Sequence, residues 1–183
     1  DLVVLPSDHY FYQELSQKLK SDLELKIPLL EQYSIDEWFG DLDGYVKDED
    51  TLEFITELRD DILKKFNLPI TIGASKSKWI AKLLTDRIKP FGVFALPSDK
   101  VLDFTKNISV NEFPGVGKAI ARKLQDYNVK TLGDLRSRPN LLNEYGKTGK
   151  DLFNKICGID NENVVPNSDR KGIGISRNFK AVQ

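Results

Sequence analysis

The sequence predicts an α/β (α+β) fold: a small mixed or antiparallel sheet with flanking helices, followed by an all-helical region. Three observations carry that prediction. Short apolar runs alternate with amphipathic segments as far as Ser98. Two of the runs, on either side of an acidic bend, can only be antiparallel. Beyond Ser98 no convincing strand follows, and short helical segments separated by glycine and proline take over. Charge divides at the same place: residues 100–183 hold 15 basic and 9 acidic side chains, a net of +6, whereas the first 99 hold 12 and 19, a net of −7. The opposition points to phosphate contact in the second half and cation binding in the first.

The elements are expected in this order. Leu2-Val3-Val4-Leu5, closed by Pro6, reads as a buried strand. Ser7 or Asp8 then caps a helix to about Lys20, with His9 on the surface of its first turn and Tyr12, Leu15 and Leu19 at helical spacing. Strand character resumes from Leu23 to Tyr33, bends at Asp36-Glu37 and returns through Trp38–Leu42, ending at Asp43-Gly44. Asp50 and Glu53 resemble a capping box for a helix whose inward stripe is Leu52, Ile55, Leu58, Ile62 and Phe66. Pro69–Ala74 and Phe91–Leu96 are two further strands around a helix from Ser77 to Lys89. That helix buries Ile80, Leu83, Leu84 and Ile88 and turns Lys78, Lys82, Asp86 and Lys89 outward. A boundary falls near residues 97–104. Helices follow from Lys118 to about Tyr127, after Lys130, and near Lys150–Cys157, where Cys157 packs rather than reacts. The stretch from Val164 to Gln183 reads as a basic linker.

Composition narrows the chemistry. With 183 residues, 40% hydrophobic and 30% charged, the chain is an ordinary folded protein with a sizeable core. No apolar run approaches the roughly 18 residues that span a bilayer, and no signal peptide is evident, so a cytoplasmic protein is expected. The single Cys157 excludes a disulfide framework, and the single His9 excludes a histidine metal site or triad. Carboxylates, lysines and backbone must do the work. The start at Asp1 and the absence of methionine lead to the expectation that the chain is part of something longer.

Asp36 and Glu37 are the first candidates. A straight strand would send them to opposite faces, so cooperation requires a bend, with both acids at its tip. Two carboxylates about 4 Å apart repel by roughly 4 kcal/mol at an effective dielectric near 20. A divalent cation such as Mg2+ removes the repulsion, although solvated acids in a turn are the favoured reading of this stretch alone. The second candidate is Pro114-Gly115-Val116-Gly117-Lys118. Its glycines allow a tight turn that aims helix N-terminal amides at an anion, and Lys118, Arg122, Lys123 and Lys130 add charge for DNA backbone.

From Phe113 through Leu135 the pattern resembles a helix-hairpin-helix, a sequence-independent DNA-binding element. In order, Ser34-Ile35-Asp36-Glu37, Ile72-Gly73-Ala74-Ser75-Lys76, Ala81-Lys82, Lys89-Pro90-Phe91-Gly92, the hairpin and Ile173-Gly174-Ile175-Ser176-Arg177 resemble the successive motifs of Y-family (DinB/UmuC-like) translesion DNA polymerases. The resemblance implies a partial palm over 1–98, a thumb over 99–165 with its helix-hairpin-helix at 113–135, and a basic linker over 166–183 toward a little finger domain. It implies that Asp36 and Glu37 are catalytic metal ligands, Asp36 shared between two magnesium ions and Glu37 facing the ion that activates the primer 3′-hydroxyl. Lys82 would reach the incoming dNTP, and Gly115, Gly117, Lys118 and Arg122 would contact DNA. The implied function is synthesis across damaged bases, in DNA repair and the SOS response, with primer-template DNA, dNTP and a sliding clamp or accessory subunit as the implied partners.

The chain departs from the family at Ser77, where Asn is usual, and at Phe91, where Lys-Pro-Asn-Gly is usual, which puts fine positioning in question. The family's third carboxylate, its sugar-gating residue and the little finger domain would lie outside Asp1–Gln183, so the chain alone is expected to be inactive. The alternative function is a non-catalytic DNA-binding scaffold that grips backbone through the hairpin while its acidic half engages a partner.

Overall fold

The computed structural model describes residues 3, 5–159 and 162–166. Helix α1 (His9–Glu24) starts where the Asp8 carboxylate accepts a hydrogen bond from the Phe11 amide at 3.0 Å. It runs four residues beyond the expected end at Lys20 and so takes Leu23, a residue expected in the following strand. The strand expected at 2–5 is not formed among the described residues. Val3 and Leu5 are exposed and neither described sheet pairs with them; an apolar run becomes a strand only where a neighbour supplies its ladder. Leu2 and Val4 lie outside the described residues.

Strands β1 (Leu29–Gln32) and β2 (Trp38–Asp41) form the antiparallel hairpin, in the register Glu31 to Phe39 and Gln32 to Trp38. Strands β3 (Ile72–Ser75) and β4 (Val93–Leu96) pair in parallel, joined by helix α3 (Lys78–Arg87). The mixture of orientations is as expected, distributed over two separate two-stranded sheets. Helix α3 can lie close on β3 because residue 73 is glycine: a Cβ there would stand 2.5 Å from the Ala81 carbonyl oxygen.

Helix α2 (Thr51–Phe66) buries Ile55, Leu58 and Ile62, while Leu52 at its start is exposed. The capping box expected from Asp50 and Glu53 does not form. Asp50 closes a 3-10 turn (Asp48–Asp50) in right-handed helical conformation, whereas a side-chain cap needs an extended backbone at that residue.

One apolar cluster gathers Leu19, Leu23, Ile27, Leu30, Leu58 and Ile62 between α1, the hairpin and α2. A second joins the inner stripe of α3 (Ile80, Leu83, Leu84) to Leu96, Phe113, Leu124, Leu135 and Ile156. Strands end at Leu96, but this core continues across residues 97–104.

The helical half contains α4 (Val101–Thr105), α5 (Lys118–Asp126), α6 (Leu132–Arg136) and α7 (Gly146–Cys157). Helix α7 begins four residues before the expected Lys150 and ends at Gly158, whose φ of +69° suits glycine. Arg136 fastens three of these helices by donating to Thr105 Oγ1 and the Leu102 carbonyl at 2.8 Å and to the Ile156 carbonyl at 3.4 Å. Burial pushes the Cys157 thiol above its ordinary pKa, in keeping with a packing role. Residues 167–183, including Ile173–Arg177 and nearly all of the expected linker, lie outside the described residues.

Candidate active site

The hairpin loop occupies residues 33–37 and is tied at its base, the amides of Tyr33 and Ser34 donating to the Glu37 carbonyl at 2.9 and 3.2 Å. Ser16 on α1 holds the loop from behind: its hydroxyl donates to the Ile35 carbonyl at 2.6 Å and accepts from Gln32 Nε2 at 3.1 Å. Asp36 and Glu37 therefore sit together at one end of the hairpin. Asp36 Oδ1 accepts from the Ser34 hydroxyl at 2.7 Å.

Strand parity assigns the two faces of the hairpin different work. Leu30 and Gln32 point toward α1 and the first core, whereas Glu31, Tyr33 and Phe39 share the other face with Glu37. Helix α3 covers that second face. Lys78 Nζ lies 2.7 Å from Glu31 Oε2 and 4.9 Å from the Phe39 ring centroid. One turn on, the Lys82 ammonium is paired with Glu37 Oε1 and stands 5.5 Å from the Tyr33 ring centroid. Trp79 packs against both rings, with centroid separations of 6.1 Å to Tyr33 and 6.2 Å to Phe39. A third lysine, Lys155 of α7, lies 4.0 Å from the Trp79 ring centroid and 2.6 Å from Glu162, whose other oxygen accepts from the Trp79 indole at 2.8 Å.

Of the lysines expected on a solvated face of α3, Lys78 and Lys82 are instead turned to the hairpin and largely covered. Lys89 pairs with Asp86 at 2.7 Å. Its ammonium is held above the ordinary lysine range, first by that bond and further by the fields of Glu37 and Asp36. The acidic loop thus has positive charge directed at it by Lys82 of α3 and by Lys89 just beyond the end of that helix. Its donors are two carboxylates with no imidazole or thiolate beside them, a set that suits a hard cation. Among the described residues no three His, Cys, Asp or Glu side chains gather into a larger ligand cluster.

The second candidate site is the loop before α5. Gly115 has φ +95°, in the left-handed region that favours glycine, and Gly117 occupies the cap position of α5. Gly115, Gly117, Lys118 and Arg122 are exposed; Lys118 and Arg122 stand one turn apart beside Gln125 along a shallow groove and make no ion pair among the described residues. Lys123 differs from the expectation. It pairs with Glu144 and lies 6.0 Å from the Tyr145 ring centroid, which removes it from the cations facing outward. Between α5 and α6 the hairpin is secured by bonds from Val110 N to the Lys130 carbonyl at 3.0 Å and from Leu132 N to the Ile108 carbonyl at 2.8 Å.

Comparison with known proteins covers both regions of the chain. Residues 1–86 match the impB/mucB/samB family model, and residues 111–160 match the model of the DNA polymerase-iota thumb domain. A Y-family DNA polymerase chimera superposes with a TM-score of 0.78 at 27% identity, over 90% of this chain and 49% of that one. Over these spans the chain is similar to the Y family of DNA polymerases.

The DNA polymerase IV of Shewanella oneidensis is 31% identical over 178 residues, covering 96% of this chain and 50% of the relative. That of Yersinia enterocolitica is 32% identical over 179 residues, covering 96% and 51%. Among solved structures, DinB from Sulfolobus solfataricus superposes with a TM-score of 0.81 at 27% identity, over 88% of this chain and 49% of that one. An insertion ternary complex of Dbh DNA polymerase gives 0.81 at 26%, over 88% and 48%. The chain spans about half the length of the curated relatives it matches.

The two departures from the Y-family pattern have physical readings. Ser77 caps α3, its hydroxyl accepting from the Ile80 amide at 3.3 Å, and serine and asparagine are about equally good caps. Phe91 has φ +62°, a conformation that asparagine tolerates and a bulky residue does not. Arg59 meets it there, with its guanidinium carbon 4.5 Å from the ring centroid and Nη1 donating to the Phe91 carbonyl at 3.4 Å.

Proposed function

We propose that the full-length protein carries out template-directed DNA synthesis across damaged bases, transferring a nucleotide from dNTP to a primer 3′-hydroxyl. The observation that carries this reading is the junction of the Asp36-Glu37 loop with Lys82 of α3, in a chain that also presents Lys118 and Arg122 from a helix-hairpin-helix. Asp36 and Glu37 would hold Mg2+, which when bound supplies charge stabilisation for the attacking and leaving oxygens. Ser34 fixes the Asp36 carboxylate, and Ser16 and Gln32 hold the loop that carries it. Lys82 offsets the charge of the triphosphate.

Gly115 and Gly117 allow DNA backbone to approach the amides that open α5, while Lys118 and Arg122 neutralise phosphates without reading sequence. The reading includes a palm over 1–98, a thumb over 99–165 and a linker from 166. It is supported by the end of strand structure at Leu96 and by family models that cover 1–86 and 111–160. Work in the cytoplasm, in the SOS response and with a sliding clamp belongs to the same proposal. In keeping with it, no described helix is long and apolar enough to cross a membrane.

Primer extension by the full-length protein on undamaged and abasic templates tests the reading. Incorporation opposite the lesion supports it, and tight primer-template binding with no incorporation on either template replaces it with the scaffold.

A further inference from the structure

Asp36 and Glu37 are neighbours in the chain, but their carboxylates are held in different ways. Asp36 Oδ1 accepts from Ser34 Oγ at 2.7 Å, a neutral donor inside its own loop. Glu37 Oε1 accepts from the Lys82 ammonium, a charged donor delivered by another element. The Lys82 side chain is 17% exposed and ends 5.5 Å from the Tyr33 ring centroid, so the ammonium has an aromatic surface beside it as well as the carboxylate.

We infer that Lys82 is an exchangeable counter-ion of Glu37. The inference rests on the reading of Asp36 and Glu37 as metal ligands. An ammonium and a divalent cation cannot share one carboxylate oxygen without close repulsion between them, so a cation that takes Glu37 displaces Lys82. A lysine can make that exchange with its helix fixed, because four flexible carbons carry its charge. The displaced ammonium then serves the triphosphate.

Neither neighbouring lysine is placed to substitute. Lys78 is 9% exposed and is engaged by Glu31, the Asn163 carbonyl and the Phe39 ring, and Lys89 is engaged by Asp86. Metal and nucleotide affinity are therefore coupled through one side chain, with opposite signs. Lys82 opposes a cation bound alone and favours a triphosphate bound afterwards, and the coupling is reciprocal.

Binding of Mn2+ alone to the full-length protein, read from the electron paramagnetic resonance of the free ion, tests this. Lys82→Gln is expected to bind Mn2+ about five-fold more tightly than wild type or better, and to bind dATP less tightly once Mn2+ is present. Lys82→Arg, which keeps the charge, stays close to wild type, and Lys82→Gln combined with Glu37→Gln loses the gain. If Asp36→Asn weakens Mn2+ binding but Lys82→Gln does not tighten it, the exchange is wrong and the metal site stands. If neither Asp36→Asn nor Glu37→Gln alters Mn2+ binding, or if no variant binds the ion, the site assignment falls and the exchange falls with it.

Discussion

Lys78 Nζ and the Glu31 carboxylate, 2.7 Å apart and only 9% and 19% exposed, join the first turn of α3 to the first strand of the acidic hairpin. Glu31 also accepts from the Val165 amide at 2.8 Å, so one carboxylate fastens three parts of the chain next to the candidate active site.

Removing one partner of that pair leaves a largely covered charge without its counter-ion. Glu31→Gln is expected to lower stability by about 1–3 kcal/mol, seen in urea as a lower midpoint at unchanged slope. Replacing both partners by apolar side chains, Glu31→Leu with Lys78→Met, should recover most of the loss, because no uncompensated charge remains. A single variant as stable as wild type would show that the pair contributes nothing.

The left-handed backbone of Phe91 and its contact with Arg59 act in opposite directions. A non-glycine side chain in that conformation costs about 1–2 kcal/mol, and asparagine relieves part of the cost. Phe91→Asn also discards the cation–π contact, worth about 0.5–1 kcal/mol. The substitution should therefore stabilise the Arg59→Ala background more than the wild-type background. A thermal double-mutant cycle measures the difference, and equal effects in both backgrounds would remove the pairing from the account.

DNA affinity as a function of salt distinguishes the lysines and arginine of α5. Lys118→Ala and Arg122→Ala should each flatten the slope of log affinity against log salt by roughly one unit, uniformly across sequences. Lys123→Ala should leave the slope unchanged, since its ammonium is already paired with Glu144. A loss that depends on sequence would contradict the backbone-contact role.

Asp134 closes the turn into α6, accepting from the Thr131 amide at 2.9 Å and the Lys130 amide at 3.0 Å. These bonds hold its carboxyl below the usual carboxylate range, with the Thr131 bond the larger cause. A depressed folded-state pKa gives stability that is present above the unfolded value, near 4, and is lost as pH falls through the folded value. Wild type and Asp134→Leu should therefore melt apart at pH 6 and converge as the pH is lowered below about 4. A difference that stays constant down the acid limb would exclude the carboxylate as its source.

The hairpin was legible because two adjacent acids interrupt a period of two, and α2 because Ile55, Leu58 and Ile62 repeat at helical spacing. The glycines before α5 were legible for a similar local reason. What sequence could not supply was the choice among equivalent lysines. Lys78, Lys82 and Lys89 all fall on polar positions of α3, and only the hairpin packed against that helix, more than 40 residues away in sequence, makes two of them partners of Glu31 and Glu37. The spacing of Lys78 and Lys82, one turn apart, was the available signal, and it gains meaning only beside the parity of Glu31 and Glu37. Lys123 was misplaced for the same reason, since Glu144 lies 21 residues further along.

We propose the Asp36-Glu37 loop as the catalytic centre of the full-length protein. The most direct measurement is single-nucleotide incorporation by the full-length protein carrying Asp36→Ala, with primer-template binding measured on the same preparation. Incorporation should be abolished while DNA binding stays at the wild-type level. Incorporation that survives the substitution would contradict the account.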